Sequence, residues 1–391
     1  MIELRDFVIQ SFRCRDPLMK HQVIEFLSHT DLDSLLKEAN KIRDLNWGKR
    51  ITYSRKVFVP LTNMCRNTCS YCTFVKDPES DEATILTKDQ VIDIVKEGQK
   101  KGCKEVLFSL GEKPERRYPA ARRALKNIGF ESMVDYLKEV CQLTLQKSNL
   151  IPHINAGTLS LEDIRKLKPV AASMGMMLET TSKRLTKKGQ PHYACPDKVP
   201  IQRIRTLERA GAMKVPFTTG LLIGIGETLS ERIEALKTIN FIHKKYGHIQ
   251  EVIIQNFQRK PDILMKNSPE PSKEEMMRTI AIARIILDPE ISIQAPPNLS
   301  DSHLEWLSAG INDWGGISPV TIDFINPQHS WPHLEDLKKG TEAKGFNLKE
   351  RLTIYPQYQK KFGFVSSKVE NHIGSLADKD GLAIDQRLEK I

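Results

Sequence analysis

Three closely spaced cysteines are the residues in this sequence most able to carry chemistry. Cys65, Cys69 and Cys72 form a Cys-x3-Cys-x2-Cys motif directly after an apolar run that predicts a β-strand. Three thiolates in one loop can ligate three irons of a four-iron, four-sulfur cluster and leave the fourth iron open to a small molecule. We therefore interpret these three cysteines as the ligands of an iron–sulfur cluster.

A zinc site is the alternative interpretation of the motif. Structural zinc usually takes four ligands, and the next candidates along the sequence, Cys103 and His153, are far from the motif. Unrelated buried thiols would rarely show this spacing. In a reducing compartment cysteines are thiols or metal ligands, not disulfides. We interpret the four cysteines outside the motif as small hydrophobic residues: Cys14, Cys103, Cys141 and Cys195.

The elements around the motif predict a barrel. Short apolar, β-branched runs alternate with amphipathic helical patterns from residue 51 onward, which suits parallel strands buried on both faces. Capping boxes beginning at Thr87, Thr228 and Ser272 predict helix starts, and Gly102 and Gly211 predict helix ends. The predicted strands are Val57–Leu61, Glu105–Leu110, Ile151–Asn155, Ser173–Leu178, Val215–Ile223, Glu251–Phe257 and Ile291–Gln294, with a weaker candidate at Val320–Phe324.

Seven or eight such units predict an α/β fold, a TIM-barrel-like parallel (β/α) barrel that is partly or fully closed. A doubly wound open sheet is the alternative. We expect residues 1–48 to form a helical N-terminal cap and residues 51–300 the barrel core. Residues 301–391 would be an extension that completes the substrate side, with a charged and mobile tail from about Ser366.

Composition excludes several classes of protein. The 391 residues are 40% hydrophobic and 28% charged, which is typical of a globular protein. No apolar run approaches the ~20 residues of a membrane span, and no signal peptide is visible, so we expect a cytoplasmic protein. The net charge of +10 is spread along the chain without an RNA-binding motif, so we do not expect nucleic-acid binding. A plain electron carrier is a further alternative, but it would normally ligate all four irons with protein thiolates, and the motif supplies three.

With Tyr71 as the aromatic residue before the last cysteine, the motif resembles the signature of the radical S-adenosylmethionine superfamily. The resemblance implies one 4Fe–4S cluster, with S-adenosylmethionine chelating the open iron. It also implies a 5′-deoxyadenosyl radical, formed when one electron breaks the S–C5′ bond, and a flavodoxin- or ferredoxin-like electron donor.

Three further segments are similar to elements of that superfamily, although each could also be an ordinary turn after a strand. Gly111-Glu112 resembles the Gly-Glu element that holds the methionine ammonium group. The segment 179–182 would meet the ribose or the methionine moiety, and the segment 220–227 would let adenine approach closely. By this resemblance the cofactor-binding residues are Tyr71, Gly111, Glu112, Glu179, Ser182, Gly224 and Glu227.

A more specific resemblance covers roughly residues 51–365. Five segments are similar to the ring-closing subunits of the 7,8-didemethyl-8-hydroxy-5-deazariboflavin synthase family: residues 111–115, 152–155, 255–261, 312–321 and 323–327. The resemblance implies a substrate in which a hydroxybenzyl group is joined to a ribityl-substituted aminouracil. A companion radical enzyme would supply this adduct. Ala156 and Asp262-Ile263 depart from the family pattern.

The sequence does not select one acid or base for the loss of ammonia that ring closure requires. Glu115, His153, Asp313 and Asp323 are the catalytic candidates by position and type. Trp314 would either stack on a flat heteroaromatic ligand or lie in the core. The alternative functions are the companion enzyme that joins tyrosine to the uracil and a radical enzyme of the menaquinone pathway.

Overall fold

A closed parallel barrel forms the body of the protein. The computed structural model describes residues 4–13 and 17–384. Eight parallel strands, β1–β8, close into a barrel because β1 pairs with both β8 and β2. A ninth strand, β9, lies outside this ring and pairs with the start of β1. The predicted barrel is confirmed and the open sheet is wrong. The strands are β1 (Arg50–Pro60), β2 (Glu105–Ser109), β3 (Ile151–Asn155), β4 (Ser173–Gly175), β5 (Phe217–Ile223), β6 (Ile249–Asn256), β7 (Ser292–Gln294), β8 (Asp313–Ile317) and β9 (Asn347–Glu350).

Helices surround the barrel, and their starts follow the predicted capping boxes. Thr87, Thr228 and Ser272 each accept a hydrogen bond from the third helical residue, whose side chain bonds back to the cap. In the described residues no helix has the length and apolar character needed to cross a membrane. The helices are α1 (Leu4–Arg13), α2 (Pro17–His29), α3 (Leu32–Trp47), α4 (Lys88–Lys100), α5 (Pro119–Asn127), α6 (Met133–Lys147), α7 (Leu161–Leu167), α8 (Pro200–Ala212), α9 (Leu229–Tyr246), α10 (Lys273–Ile286), α11 (Leu334–Ala343), α12 (Pro356–Gln359) and α13 (Ser367–Leu376).

Segments near both ends of the described chain pack on the barrel. The N-terminal segment contains α1–α3, and Leu35 and Ala39 of α3 are fully buried; the role of this segment as a separate cap stays a prediction. The tail from Ser366, predicted to be mobile, forms α13, which buries Val369 and Ile373 in a core cluster with Leu352. Burying such aliphatic side chains stabilises the fold by about 1.5–3 kcal/mol each. Cys14 and residues 385–391 lie outside the described residues.

The predicted eighth strand at Val320–Phe324 is wrong. The strand is β8, which begins seven residues earlier, and a turn follows it, because the Ser318 hydroxyl accepts hydrogen bonds from the backbone of Val320 and Thr321. The glycines of β8 concealed it, since glycine lowers strand propensity. An added Cβ at Gly316 would overlap the end of the Lys56 side chain inside the barrel, so that side chain would have to move.

A polar plug closes the amino end of the barrel. The segment after β9 crosses beneath the strands, and the Arg351 guanidinium lies 2.6 Å from Asp313 of β8 and 2.8 Å from Glu251 of β6. The Tyr355 hydroxyl lies 3.0 Å from the Asp313 carboxylate. All four side chains are buried, so each charge depends on its partners for compensation.

Arg351→Ala should lower the free energy of unfolding by about 3–5 kcal/mol, because it leaves two buried carboxylates without a cation. Urea unfolding followed by circular dichroism measures the loss. Arg259→Ala is the matched control, since its ion pair with Glu270 is largely exposed and should cost under ~1 kcal/mol. Equal losses in the two variants would contradict the plug.

Candidate active site

The loop after β1 carries the three motif cysteines to the carboxyl end of the barrel. Its base is fixed by a bridge between Thr62 and Ile85, and the Asn63 side chain bonds to the backbone of Glu82 and Thr84. The motif cysteines line one cavity of about 260 Å³ together with residues that follow β2, β4 and β6. The rim of a parallel barrel is where ligands bind in this architecture.

Backbone groups hold the first thiol. The Cys65 sulfur accepts hydrogen bonds from the backbone N–H groups of Asn67 (3.4 Å) and Glu112 (3.1 Å). Gly111 makes the second contact possible, because a Cβ there would overlap the carbonyl oxygen of Met64. Burial raises the pKa of the Cys65 thiol to about 12, and these N–H groups oppose that rise because they favour the thiolate, which is the form that binds metal.

The sulfur atoms fit a cluster better than a single ion. Among the described residues, Cys65, Cys69 and Cys72 do not form a set whose sulfur atoms all lie within 4.8 Å of one another. One zinc ion holds its sulfur ligands at about 2.3 Å and therefore draws them close together. A cubane cluster spreads three thiolates over three irons. The donor set therefore fits an iron–sulfur cluster.

A buried charge cluster surrounds Glu179. Its carboxylate accepts hydrogen bonds from the Tyr71 hydroxyl (2.7 Å) and the Lys198 ammonium (2.5 Å), with His192 at 3.1 Å and Arg203 at 3.9 Å. Burial alone would raise the pKa of Glu179, but Lys198 and Arg203 outweigh burial and hold the pKa well below its usual range. Glu179 also has a left-handed φ of 64°, which is uncommon for a residue with a side chain. The aromatic residue of the motif is thereby fixed against an ionised carboxylate.

The loop that follows β3 positions the Glu112 carboxylate. Its carboxylate accepts hydrogen bonds from the backbone and hydroxyl of Thr158, both at 2.5 Å, and from the Asn67 amide at 3.3 Å. Gly157 provides the space, since an added Cβ would overlap the carboxylate. Burial raises the pKa of Glu112, and the Arg203 guanidinium at 3.7 Å opposes that rise.

The remaining predicted cofactor residues do not line this cavity. The Ser182 hydroxyl donates to Glu231 at 2.5 Å. The Glu227 carboxylate accepts the backbone N–H of Gly224 at 2.9 Å and pairs with Arg232 at 2.7 Å, which stabilises the turn after β5. Their predicted contact with the cofactor stays a prediction.

A second cavity, of about 190 Å³, occupies the barrel interior; we call it the chamber. Of the predicted acid–base residues, His153 and Asp323 line the chamber. Asp313 lies beneath it in the plug, and Glu115 lies outside both cavities, with its carboxylate buried enough to raise its pKa. The chamber and the cysteine cavity share six wall residues: Ser109, Asn155, Met177, Gln255, Ile325 and Asn326.

His153 is a neutral side chain in the chamber wall. Its Nδ1 lies 2.7 Å from the Ser173 hydroxyl and 3.1 Å from that of Thr353. Burial lowers the pKa of His153 to about 4, so the ring is uncharged near pH 7. Gly175 leaves room for the ring, because an added Cβ would lie 2.9 Å from Nε2.

The aromatic surface of the chamber is not the predicted one. Trp314 is fully buried and its indole N–H donates to Thr341 at 3.1 Å, so the structural interpretation of Trp314 is confirmed. Phe58 and Trp331 line the chamber instead, with ring centroids 5.2 Å apart and planes 5° from parallel.

The segment between β4 and α8 contains functional candidates that sequence reasoning missed. His192 and Lys198 reach Glu179, and the Asp197 carboxylate pairs with Arg66. Cys195 is buried as predicted, and its sulfur also lies 3.8 Å from that of Cys69, a contact that sequence reasoning did not indicate. The polar run Cys195-Pro-Asp-Lys198 was the available signal. The predictions for Cys103 and Cys141 are confirmed, because both lie in the main core cluster.

Comparisons with known proteins agree with this geometry. The profile of the radical SAM superfamily matches residues 59–239. The chain is 46% identical over 334 residues to the 7,8-didemethyl-8-hydroxy-5-deazariboflavin synthase of Methanopyrus kandleri, covering 85% of this chain and 99% of that protein. It is 46% identical over 361 residues to the FO synthase of Nocardia farcinica, covering 89% of this chain but 42% of that protein.

Solved structures with low sequence identity share the fold. The FeFe-hydrogenase maturase HydG from Carboxydothermus hydrogenoformans aligns with a TM-score of 0.70 and 19% identity, covering 97% of this chain and 93% of that one. Methylornithine synthase (PylB) aligns with a TM-score of 0.67 and 18% identity, covering 88% and 97%. These likenesses support the barrel architecture alone.

Gly111→Ala should lose most of the iron bound after anaerobic reconstitution, because the new Cβ would displace the Met64 carbonyl group and with it Cys65. Iron analysis and the visible absorption of the cluster measure the loss. Gly374→Ala in α13 is the control, since nothing lies within 4 Å of the added Cβ. Full iron content in Gly111→Ala would contradict the proposed fit.

His153 should make stability depend on pH. Its pKa is about 4 in the folded protein and about 6.5 in an unfolded chain, so on acidification the unfolded state binds the proton first. Between pH 7 and pH 5 this linkage should remove about 2 kcal/mol of stability. Urea midpoints at the two pH values should therefore differ less for His153→Gln than for the native protein. The exposed His21→Gln variant should keep the native pH dependence; an unchanged dependence in His153→Gln would refute the assignment.

Proposed function

Because the chain belongs to the 7,8-didemethyl-8-hydroxy-5-deazariboflavin synthase family of radical SAM enzymes, we propose that it catalyses ring closure in deazaflavin biosynthesis. The substrate would be 5-amino-5-(4-hydroxybenzyl)-6-(ribitylimino)uracil, and the product 7,8-didemethyl-8-hydroxy-5-deazariboflavin. The conversion would release ammonia and remove two electrons and two hydrogens from the substrate, with S-adenosylmethionine as the oxidant, cleaved to methionine and 5′-deoxyadenosine. The observation that carries the proposal is the junction of the cysteine cavity and the chamber through shared walls.

The cysteine cavity would hold the cofactors. A bound 4Fe–4S cluster and S-adenosylmethionine supply a 5′-deoxyadenosyl radical that abstracts hydrogen from a substrate. The three motif cysteines would ligate the cluster, and the Glu112 carboxylate would bind the methionine ammonium group. Lys198 and Arg203 line the same cavity and carry two positive charges beside Glu179. These charges would help to bind the carboxylate of methionine.

The chamber offers groups that match each part of the proposed substrate. Side-chain amides can both donate and accept, as the edge of a uracil ring requires. The stacked rings of Phe58 and Trp331 offer an apolar face to a hydroxybenzyl group. The Lys56–Glu105 pair, at 2.7 Å, lies in the wall and could bind ribityl hydroxyls. The amides that line the chamber are Asn155, Gln255, Gln294, Asn298 and Asn326.

His153 is our candidate for proton transfer during ammonia loss. It lies in the chamber wall, is neutral near pH 7, and is oriented by the hydroxyls of Ser173 and Thr353. Asp323 also lines the chamber, but it accepts hydrogen bonds from the amides of Asn298 (3.0 Å) and Asn326 (3.1 Å). We therefore assign Asp323 to shaping the wall rather than to proton transfer.

The number of cysteine motifs in this sequence supports a single radical step. The chain spans 99% of the Methanopyrus kandleri protein and about two-fifths of the FO synthases. The sequence carries one Cys-x3-Cys-x2-Cys motif. A separate radical enzyme would then make the adduct, and a flavodoxin- or ferredoxin-like protein would supply the electron.

Substrate choice tests the proposal. The anaerobically reconstituted enzyme, given dithionite and S-adenosylmethionine, should convert the adduct to fluorescent deazaflavin and form 5′-deoxyadenosine. Mass spectrometry and fluorescence measure both products. Cys69→Ala should fold but form neither, because it lacks one cluster ligand. Coupling of tyrosine to the ribityl-diaminouracil by the native enzyme would instead assign the companion step.

A further inference from the structure

A fourth thiol lies beside the cysteine motif. Cys195 comes from the segment before α8, is only 3% exposed, and places its sulfur 3.8 Å from that of Cys69. It does not line the cysteine cavity, whereas the three motif cysteines do. Cys195 therefore contacts Cys69 from outside the cavity and is not placed as a fourth iron ligand.

The hydrogen bonds around Cys195 indicate where its proton points. The backbone N–H of Thr68 donates to the Cys195 sulfur at 3.3 Å, so the thiol proton is left for an acceptor. Two acceptors are within reach, the Cys69 sulfur at 3.8 Å and the Tyr193 carbonyl oxygen at 3.4 Å. A hydrogen bond to a charged acceptor is about twice as strong as one to a neutral acceptor. The Cys195 thiol should therefore donate its hydrogen bond to an iron-bound Cys69 thiolate and not to the Tyr193 carbonyl oxygen.

We propose that the Cys195 thiol donates a hydrogen bond to the Cys69 sulfur and thereby raises the reduction potential of the bound cluster. The inference rests on the proposed function in that the loop must hold a cluster. Hydrogen bonds to cluster sulfurs stabilise the reduced state, which carries one more negative charge. Cys195 is then a positioning residue that acts on the cluster only through Cys69. The electron that reduces the cluster comes from an external donor, and no covalent bond forms or breaks at Cys195.

The test compares Cys195→Ala and Cys195→Ser in the reconstituted holoenzyme, titrated with dithionite and redox mediators and followed by EPR. A hydrogen bond contributes about 0.5–1.5 kcal/mol, so Cys195→Ala should disfavour reduction about threefold to tenfold. A tenfold change corresponds to about 59 mV for a one-electron couple. Cys195→Ser keeps a donor and should restore most of the potential. Cys103→Ala, equally buried at 4% exposure, should leave the potential unchanged.

The outcomes separate this inference from the proposed function. A native holoenzyme without a four-iron cluster, or one that does not cleave S-adenosylmethionine, would refute the function. A native cluster with equal potentials in Cys195→Ala and the native protein would refute only the hydrogen bond. Lower iron content in Cys195→Ala than in Cys103→Ala would show that Cys195 is a ligand, and would overturn the inference.

Discussion

The pairing of β1 with both β2 and β8 is the constraint on which the rest of the structure depends. It closes the sheet, so the carboxyl ends of all eight barrel strands meet at one rim. The cysteine loop follows β1 directly, and Gly111 follows β2, the strand paired with β1. The register that sets Pro60 opposite Ser109 therefore brings the Met64 carbonyl against Gly111 and the Cys65 sulfur against the Glu112 N–H.

Acidic and basic side chains at the rim compensate one another. Arg203 lies 3.7 Å from Glu112 and 3.9 Å from Glu179, so one guanidinium serves both carboxylates, and Lys198 adds a second cation at Glu179. Buried charges of this kind are costly unless paired, and they add little net stability. Their value lies in preorganisation, since polar groups that are fixed in advance need not reorganise when a charged cofactor binds.

Local sequence patterns predicted most strands and helix starts. Features that depend on contacts between residues distant in the sequence could not be predicted. Apolar runs and capping boxes found seven strands, because both signals are contained in a few residues. They missed β8 and β9. The two glycines of β8 face side chains that are distant in the sequence, since an added Cβ would overlap Gln294 at Gly315 and Lys56 at Gly316. The spacing of the motif alone predicts Cys65, Cys69 and Cys72 as the cluster ligands. Cys195 and Arg203 could not be found in this way, because Cys195 is 126 residues from Cys69 and Arg203 is 91 residues from Glu112, and each pair meets only after the barrel closes.

The polar plug forms the floor of the chamber. Arg351 and Thr353 form part of the chamber wall, while Tyr355 lies on the buried side against Asp313. With the amino end filled by paired charges, the proposed substrate would reach the chamber from the carboxyl rim, past the loop that carries Ile325 and Asn326. These two residues also border the cysteine cavity, so substrate and cofactor would share one wall. An active site that opens to solvent at one end is easier to close than one that opens at two, and excluding water protects a reactive intermediate from side reactions.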